Sequence, residues 1–131
     1  MLTLKIYQII TYIIRPLFFI FFIIRILNNK EEKGKFFERK GFSKNKKPAG
    51  TLIWIHAASV GETLSALPLI ERLVNFSPDY NILLTTGTKT SKNLISERNL
   101  KRVVHQYFPW DAISYCDRFL NYWKPDIAIF L

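Results

Sequence analysis

Hydrophobic positions divide the chain into one long apolar segment and a later region of short alternating patterns. Residues 4–27 are almost continuously apolar, whereas after residue 50 short runs of bulky apolar residues alternate with segments of helical periodicity. The pattern predicts strands at residues 51–56, 81–86, 102–107 and 126–131, and helices at residues 60–76, 89–99 and 113–123. Strands that alternate with helices in this way predict an α/β fold with a parallel sheet and right-handed crossovers.

The apolar segment at residues 4–27 is long enough to cross a membrane, which takes about 20 mostly apolar residues. Arg15 and Pro16 interrupt it, and two placements remain open: a spanning helix with Arg15 near one membrane face, or a monotopic anchor that lies partly embedded. Lys5, Arg15 and Arg25 recur every ten residues, each about 80° from the next around a helix, which favours the anchor. A secretory signal peptide is disfavoured because no small-residue cleavage site follows.

Charge is distributed unevenly along the chain. The first 50 residues hold eleven Lys or Arg against three acidic residues, whereas the rest hold eight against seven, so the net charge of +9 belongs almost entirely to the first third. A basic block beside an apolar block is typical of a membrane surface, so we predict contact with membrane lipids and no nucleic-acid partner. We expect an anchor helix at 1–27, a basic juxtamembrane segment at 28–50 with a short helix at 30–40, and an α/β domain at 51–131. The basic segment would stay on the cytoplasmic side, with a plain solvated linker as the alternative.

The turn between the first predicted strand and helix carries the strongest candidate for chemistry. It reads His56-Ala-Ala-Ser-Val-Gly-Glu62, and open α/β sheets bind ligands where the carboxyl end of a strand meets a helix. A carboxylate there can take a proton from a substrate hydroxyl, so Glu62 is a candidate general base. Ser59 and Glu62 also match the capping box S-x-x-E, a structural role that competes for the same carboxylate. Ser59 is a candidate for binding an acceptor phosphate or sugar, and Gly61 would let the backbone approach a substrate closely.

Further candidates lie at neighbouring strand ends. Thr86, Gly87 and Thr88 lie at the exit of the second strand and are predicted to face the same cleft, with turn and helix-capping roles as the alternative. His56 and His105 each lie near a strand end, where a structural role and a second acid–base role both remain open. No CxxC or HExxH pattern and no P-loop motif occurs, so we predict no metal and no cofactor.

Several motifs together resemble the 3-deoxy-D-manno-octulosonic acid (Kdo) transferases, which attach Kdo to lipid A. They fall in the family's order and cover essentially the whole chain. After the apolar segment with its internal Arg-Pro come Glu38-Arg39-Lys40-Gly41-Phe42, the turn that ends at Glu62-Thr63, Pro68-Leu69, Thr85-Thr86-Gly87-Thr88-Lys89-Thr90, His105-Gln106-Tyr107-Phe108-Pro109-Trp110-Asp111 and Arg118-Phe119-Leu120-Asn121.

The resemblance implies the amino-terminal, acceptor-side, Rossmann-like domain of a GT-B glycosyltransferase, preceded by a membrane-anchor helix. It implies transfer of Kdo from CMP-Kdo to a lipid A precursor (lipid IVA) in lipopolysaccharide biosynthesis, on the cytoplasmic side of the cell inner membrane. Glu62 matches the family's catalytic glutamate by its position in the motif. The donor domain of such an enzyme binds CMP-Kdo.

The sequence stops within its fourth predicted strand, so we expect a truncated domain and no donor domain in these residues. An alternative function is a non-catalytic, membrane-tethered fragment or remnant of such an enzyme. An unrelated membrane-anchored Rossmann-like binding module is disfavoured, because several ordered motifs would have to match by chance.

Overall fold

Apolar strands that alternate with amphipathic helices give a four-stranded parallel sheet in the computed structural model, which describes residues 2–131. The strands are β1 (Thr51–Ala57), β2 (Tyr80–Thr86), β3 (Val103–Tyr107) and β4 (Ile127–Phe130). The helices are α1 (Leu2–Leu27), α2 (Phe36–Arg39), α3 (Val60–Phe76), α4 (Lys89–Arg98) and α5 (Ile113–Trp123), with one 3-10 turn at Lys33–Lys35. The predicted α/β class is confirmed, and after residue 50 no element boundary differs from its prediction by more than one residue.

The sheet has the order β3-β2-β1-β4, and every pair of neighbouring strands is parallel. Helices α3 and α4 cover one face, where Ala66, Ile70 and Ile95 pack against the strands. Helix α5 covers the other face through Phe119 and Trp123. The chain therefore changes direction at β1, and the carboxyl ends of β1 and β4 flank the switch point at which such sheets bind ligands.

Residues 28–50 pack against the domain. The short helix predicted at residues 30–40 is smaller than expected, because α2 has only four residues and ends before Gly41, whose φ is +81°. A Cβ at Gly41 would clash with the backbone carbonyl of Tyr115, so this position needs glycine. Arg118 donates from Nη1 to the Lys40 carbonyl over 2.6 Å, and its guanidinium lies 4.1 Å from the centre of the Phe42 ring. These contacts fix the segment on α5.

One face of α1 contacts the domain along most of the helix. Tyr7 hydrogen-bonds to Asp111, and Arg15 donates to Ser114 Oγ over 2.5 Å. Further along the helix, Phe18 and Phe22 pack against Trp110, with ring centroids 5.3 Å and 5.8 Å away, and Arg25 reaches the loop after β2. Arg15 and Arg25 thus share a side of the helix because they dock on the domain. By length and composition α1 is also apolar enough to cross a membrane.

Candidate functional site

The turn after β1 lies at the switch point and begins α3 with a complete capping box. Ser59 is the N-cap, and its Oγ accepts a hydrogen bond of 3.2 Å from the Glu62 amide. Glu62 Oε2 accepts from the Ala58 amide at 2.6 Å and from the Ser59 amide at 3.3 Å. The helix-capping role that the S-x-x-E spacing suggested is therefore present.

The second carboxylate oxygen of Glu62 remains open. Within residues 2–131, Oε1 of Glu62 accepts no hydrogen bond, and the residue is partly exposed. The hydrogen bond from the Ala58 amide is the main reason that the pKa of the Glu62 carboxyl lies below its usual value. The group is therefore ionised at neutral pH. Because an ionised carboxylate has lone pairs on both oxygens, Oε2 can cap the helix while Oε1 accepts a proton.

The loop after β2 touches the turn that carries Glu62. A Cβ at Gly87 would lie only 2.9 Å from the carbonyl oxygen of Ala58, so the two loops meet where only glycine fits without a shift. Gly87 is thus brought to the predicted site beside Ser59, Gly61 and Glu62. At Gly61 a Cβ would meet only Ser59 Oγ, 4.0 Å away, which leaves open space in front of the turn.

The two threonines on either side of Gly87 form hydrogen bonds within the protein. Thr86 is fully buried, and its Oγ1 lies 2.9 Å from His105 Nε2. Thr88 is the N-cap of α4, and its Oγ1 accepts from the Ser91 amide over 3.2 Å. The capping alternative is therefore realised at Thr88, and a substrate-binding role for either threonine stays a prediction.

His56 lies at the end of β1 in a mostly apolar setting. Its ring centroid is 4.0 Å from that of Phe108, and its Nδ1 lies 3.0 Å from Thr85 Oγ1, which also accepts from Trp54 Nε1 over 2.9 Å. Burial lowers the pKa of His56, so the imidazole is neutral at neutral pH. Burial likewise lowers the pKa of His105, to about 3. These contacts account for a structural role of both histidines.

A buried ionic cluster, which the sequence did not predict, holds two loops near the turn of Glu62. Glu31 Oε1 accepts from Arg39 Nε over 2.6 Å, and its Oε2 accepts from Arg25 Nε over 2.8 Å. Arg39 donates from Nη2 to the Gly87 carbonyl over 2.7 Å and from Nη1 to the Phe108 carbonyl over 3.0 Å. We call Arg25, Glu31 and Arg39 the arginine cluster. It joins α1, residues 28–50 and the loops after β2 and β3.

A doubly wound parallel sheet with an ionised, partly exposed carboxylate at its switch point is the arrangement typical of α/β ligand-binding domains. A family model described as "3-Deoxy-D-manno-octulosonic-acid transferase (kdotransferase)" matches residues 34–131. The chain therefore belongs to the Kdo transferase family, and the resemblance inferred from its motifs is confirmed.

Individual relatives agree with this assignment. The chain is 36% identical over 127 residues to a 3-deoxy-D-manno-octulosonic acid transferase of Rickettsia bellii, a match that covers 97% of the chain and 30% of the relative. A probable mitochondrial 3-deoxy-D-manno-octulosonic acid transferase of Arabidopsis thaliana is 35% identical over 127 residues, or 97% of the chain and 28% of the relative. The Haemophilus influenzae transferase is 33% identical over 118 residues, or 89% and 28%. No solved structure matches significantly. The chain thus spans less than a third of these relatives.

Proposed function

We propose that this chain supplies the acceptor-binding domain of an enzyme that transfers Kdo from CMP-Kdo to a lipid A precursor in lipopolysaccharide biosynthesis. In the proposed reaction Glu62 removes the proton from an acceptor hydroxyl while that oxygen attacks the anomeric carbon of Kdo and CMP departs. One displacement with one base on the acceptor side inverts the configuration at that carbon. The chain matches less than a third of each relative, and we assign most contacts to CMP-Kdo to the remainder.

The division of labour between the two oxygens of Glu62 supports this role. A general base must be ionised, held in place and open to the substrate, and these demands usually conflict at a helix-capping carboxylate. Here the amides of Ala58 and Ser59 hold Oε2, and Oε1 is left for the acceptor. Ser59 Oγ and the open space at Gly61 provide the neighbouring surface for the acceptor sugar, with Gly87 at its edge.

The contacts of α1 support a monotopic placement on the cytoplasmic leaflet of the inner membrane. Tyr7 and Arg25, which both contact the domain, lie about 27 Å apart along a helix that rises 1.5 Å per residue. That distance nearly equals the hydrocarbon thickness of about 30 Å, so a spanning α1 that kept these contacts would carry Asp111 and Ser114 into the bilayer. An α1 in the membrane plane avoids this cost. Its outward face is apolar and exposed, and comprises Ile6, Ile9, Ile13, Leu17, Ile20 and Ile24.

Cysteine labelling distinguishes the two orientations of α1. In a cysteine-free background, with Ser in place of Cys116, we expect Thr3→Cys to react with a membrane-impermeant maleimide only after spheroplasts are lysed with detergent, because an in-plane helix keeps both ends inside. Lys46→Cys, on the exposed basic segment, is the matched control and should behave identically. Labelling of Thr3→Cys before lysis, with Lys46→Cys still protected, would show that α1 crosses the membrane.

A transfer assay across pH tests the proposed reaction. The full-length enzyme, given CMP-Kdo and a lipid A precursor, should yield an acceptor heavier by one or more Kdo units. Because hydrogen bonding holds the pKa of Glu62 below its ordinary value of 4.5, the base stays ionised as pH falls. We therefore expect kcat/KM to change little between neutral pH and about pH 5. An acceptor of unchanged mass would refute the proposed transfer. A fall in kcat/KM near pH 6 would assign the base to another group.

A further inference from the structure

A long apolar groove runs between the second half of α1 and residues 33–44. It has a volume of about 640 Å³, and its apolar lining includes Phe19, Phe22, Ile23, Ile26, Phe36 and Phe37. A second apolar hollow of about 330 Å³ continues it past Gly34 and Phe42. Phe37, which borders both, is 59% exposed. A concave, mostly apolar surface of this kind is typical of a site that binds an apolar ligand.

Two lysines give the groove its charge. Lys33 and Lys44 line it and are exposed, and neither forms a salt bridge with any of residues 2–131. The only acidic lining residue is Glu38 in the smaller hollow, and its carboxylate is engaged by Lys35 and the Tyr107 amide. An elongated apolar cleft with free ammonium groups beside it suits an alkyl chain attached to an anionic head group.

A short series of contacts connects the groove to the turn that carries Glu62. Phe22 and Ile26 line the groove on either side of Arg25, whose guanidinium donates to the Gly87 carbonyl over 3.2 Å. Gly87 in turn stands against Ala58, whose amide holds Glu62. A short chain of contacts therefore links α1 at the groove to the turn that carries Glu62.

We propose that this groove binds an acyl chain of the anionic glycolipid acceptor and so orients its sugar toward Glu62. This inference rests on the proposed function, which makes the acceptor a lipid. The groove borders the outward, lipid-facing side of α1, so a chain can enter it from the leaflet without leaving apolar surroundings. Its connection to Glu62 through Arg25 and Gly87 favours the acceptor over a bulk phospholipid, which would have no need of a site linked to the base.

Gly34→Leu is a suitable variant for filling the groove. A Cβ at Gly34 meets no atom within 4 Å, and Gly34 borders both hollows, so a larger side chain enters open space without disturbing the backbone. Asn28→Leu is the matched control, because it adds the same apolar side chain at an exposed position outside the groove. The two variants separate occupation of the groove from a general increase in membrane affinity.

Photo-crosslinking provides the test. The full-length protein in vesicles of phosphatidylethanolamine and phosphatidylglycerol receives a lipid A precursor that carries a diazirine in one acyl chain, and adducts are mapped by mass spectrometry. We expect adducts on α1 and α2 groove residues that unlabelled precursor removes and added phosphatidylglycerol does not. Gly34→Leu should reduce them roughly tenfold and raise the acceptor KM by a similar factor with kcat retained, while Asn28→Leu changes neither.

Each other result overturns the assignment. Equal competition by phosphatidylglycerol would make the groove a phospholipid site. If no adducts formed on the groove, or if Asn28→Leu reduced them as much as Gly34→Leu, the groove would not bind the acceptor. The proposed function fails in a different way. Groove adducts without any Kdo transfer would refute the reaction and keep the lipid site, whereas transfer without groove adducts would refute the lipid site alone.

Discussion

Replacement of Glu62 by Gln in the full-length enzyme is expected to lower kcat for Kdo transfer by at least about a hundredfold, the usual minimum contribution of a general base. Gln has nearly the same shape, and its amide oxygen can still accept from the amides of Ala58 and Ser59, which hold Oε2 in the native protein. The variant therefore keeps the cap and loses only the basic oxygen. Binding of CMP-Kdo, measured by calorimetry, should remain unchanged.

Ser59→Ala serves as the control, because it weakens the helix cap and keeps the carboxylate. It removes the hydroxyl that accepts from the Glu62 amide and should cost about 0.5–2 kcal/mol of stability, as losses of N-caps do. Since it leaves the carboxylate, kcat of the folded enzyme should stay within about tenfold of the native value, whereas loss of the proposed contact between Ser59 and the acceptor should raise KM. If Glu62→Gln also stayed within that range, Glu62 would be a capping residue and the base would lie elsewhere.

The central strands β1 and β2 were predictable because they are buried on both faces of the sheet. Each strand, such as β1 with Leu52, Ile53, Trp54 and Ile55 buried, is a compact apolar run that periodicity detects without knowledge of its neighbours. Helix α5 was equally clear, because the buried residues Tyr115, Phe119 and Trp123 recur every four positions on one face.

The detail of the site was less accessible to sequence reasoning. The spacing of Ser59 and Glu62 predicts a capping box, but spacing alone does not reveal that one oxygen does the capping and the other remains open. Thr86 was predicted to face the cleft from its position at the carboxyl end of β2, yet it is buried and pairs with His105 of the next strand. Such pairings join residues distant in sequence, and local patterns carry no record of them.

The arginine cluster shows the same limit more strongly. Residues 28–50 are basic in composition, which indicates a solvated or membrane-facing segment, and nothing in their order marks Glu31 as buried. Its burial depends on Arg25 from α1 and Arg39 from α2, which meet only after α1 docks on the domain. The motif that begins at Glu38 was visible in the sequence, whereas its structural purpose was not.

Glu31→Ala is expected to destabilise the protein by about 3–5 kcal/mol, because removing one partner of a buried ion pair leaves the other charge without compensation. The Glu31 side chain is fully buried, and that of Arg39 is only 6% exposed. The loss should appear as a lower urea midpoint in detergent, followed by fluorescence of the core residues Trp54 and Trp123. Without Glu31, Arg39 would no longer be fixed against the Gly87 carbonyl. Transfer by the folded variant should therefore fall as well.

Glu32→Ala is the matched control, since it removes the neighbouring carboxylate with the same change of charge. Glu32 pairs with Lys92 over 2.7 Å, but both side chains are about a quarter exposed, so solvent screens the pair. Its loss should cost no more than about 1 kcal/mol. Equal urea midpoints for the two variants would mean that burial adds nothing to the cluster, and that apolar contacts such as those of Phe22 with Trp110 and Phe36 hold α1 on the domain instead. A large difference would mean that the arginine cluster contributes substantially to holding α1 and the loop beside Glu62 on the domain.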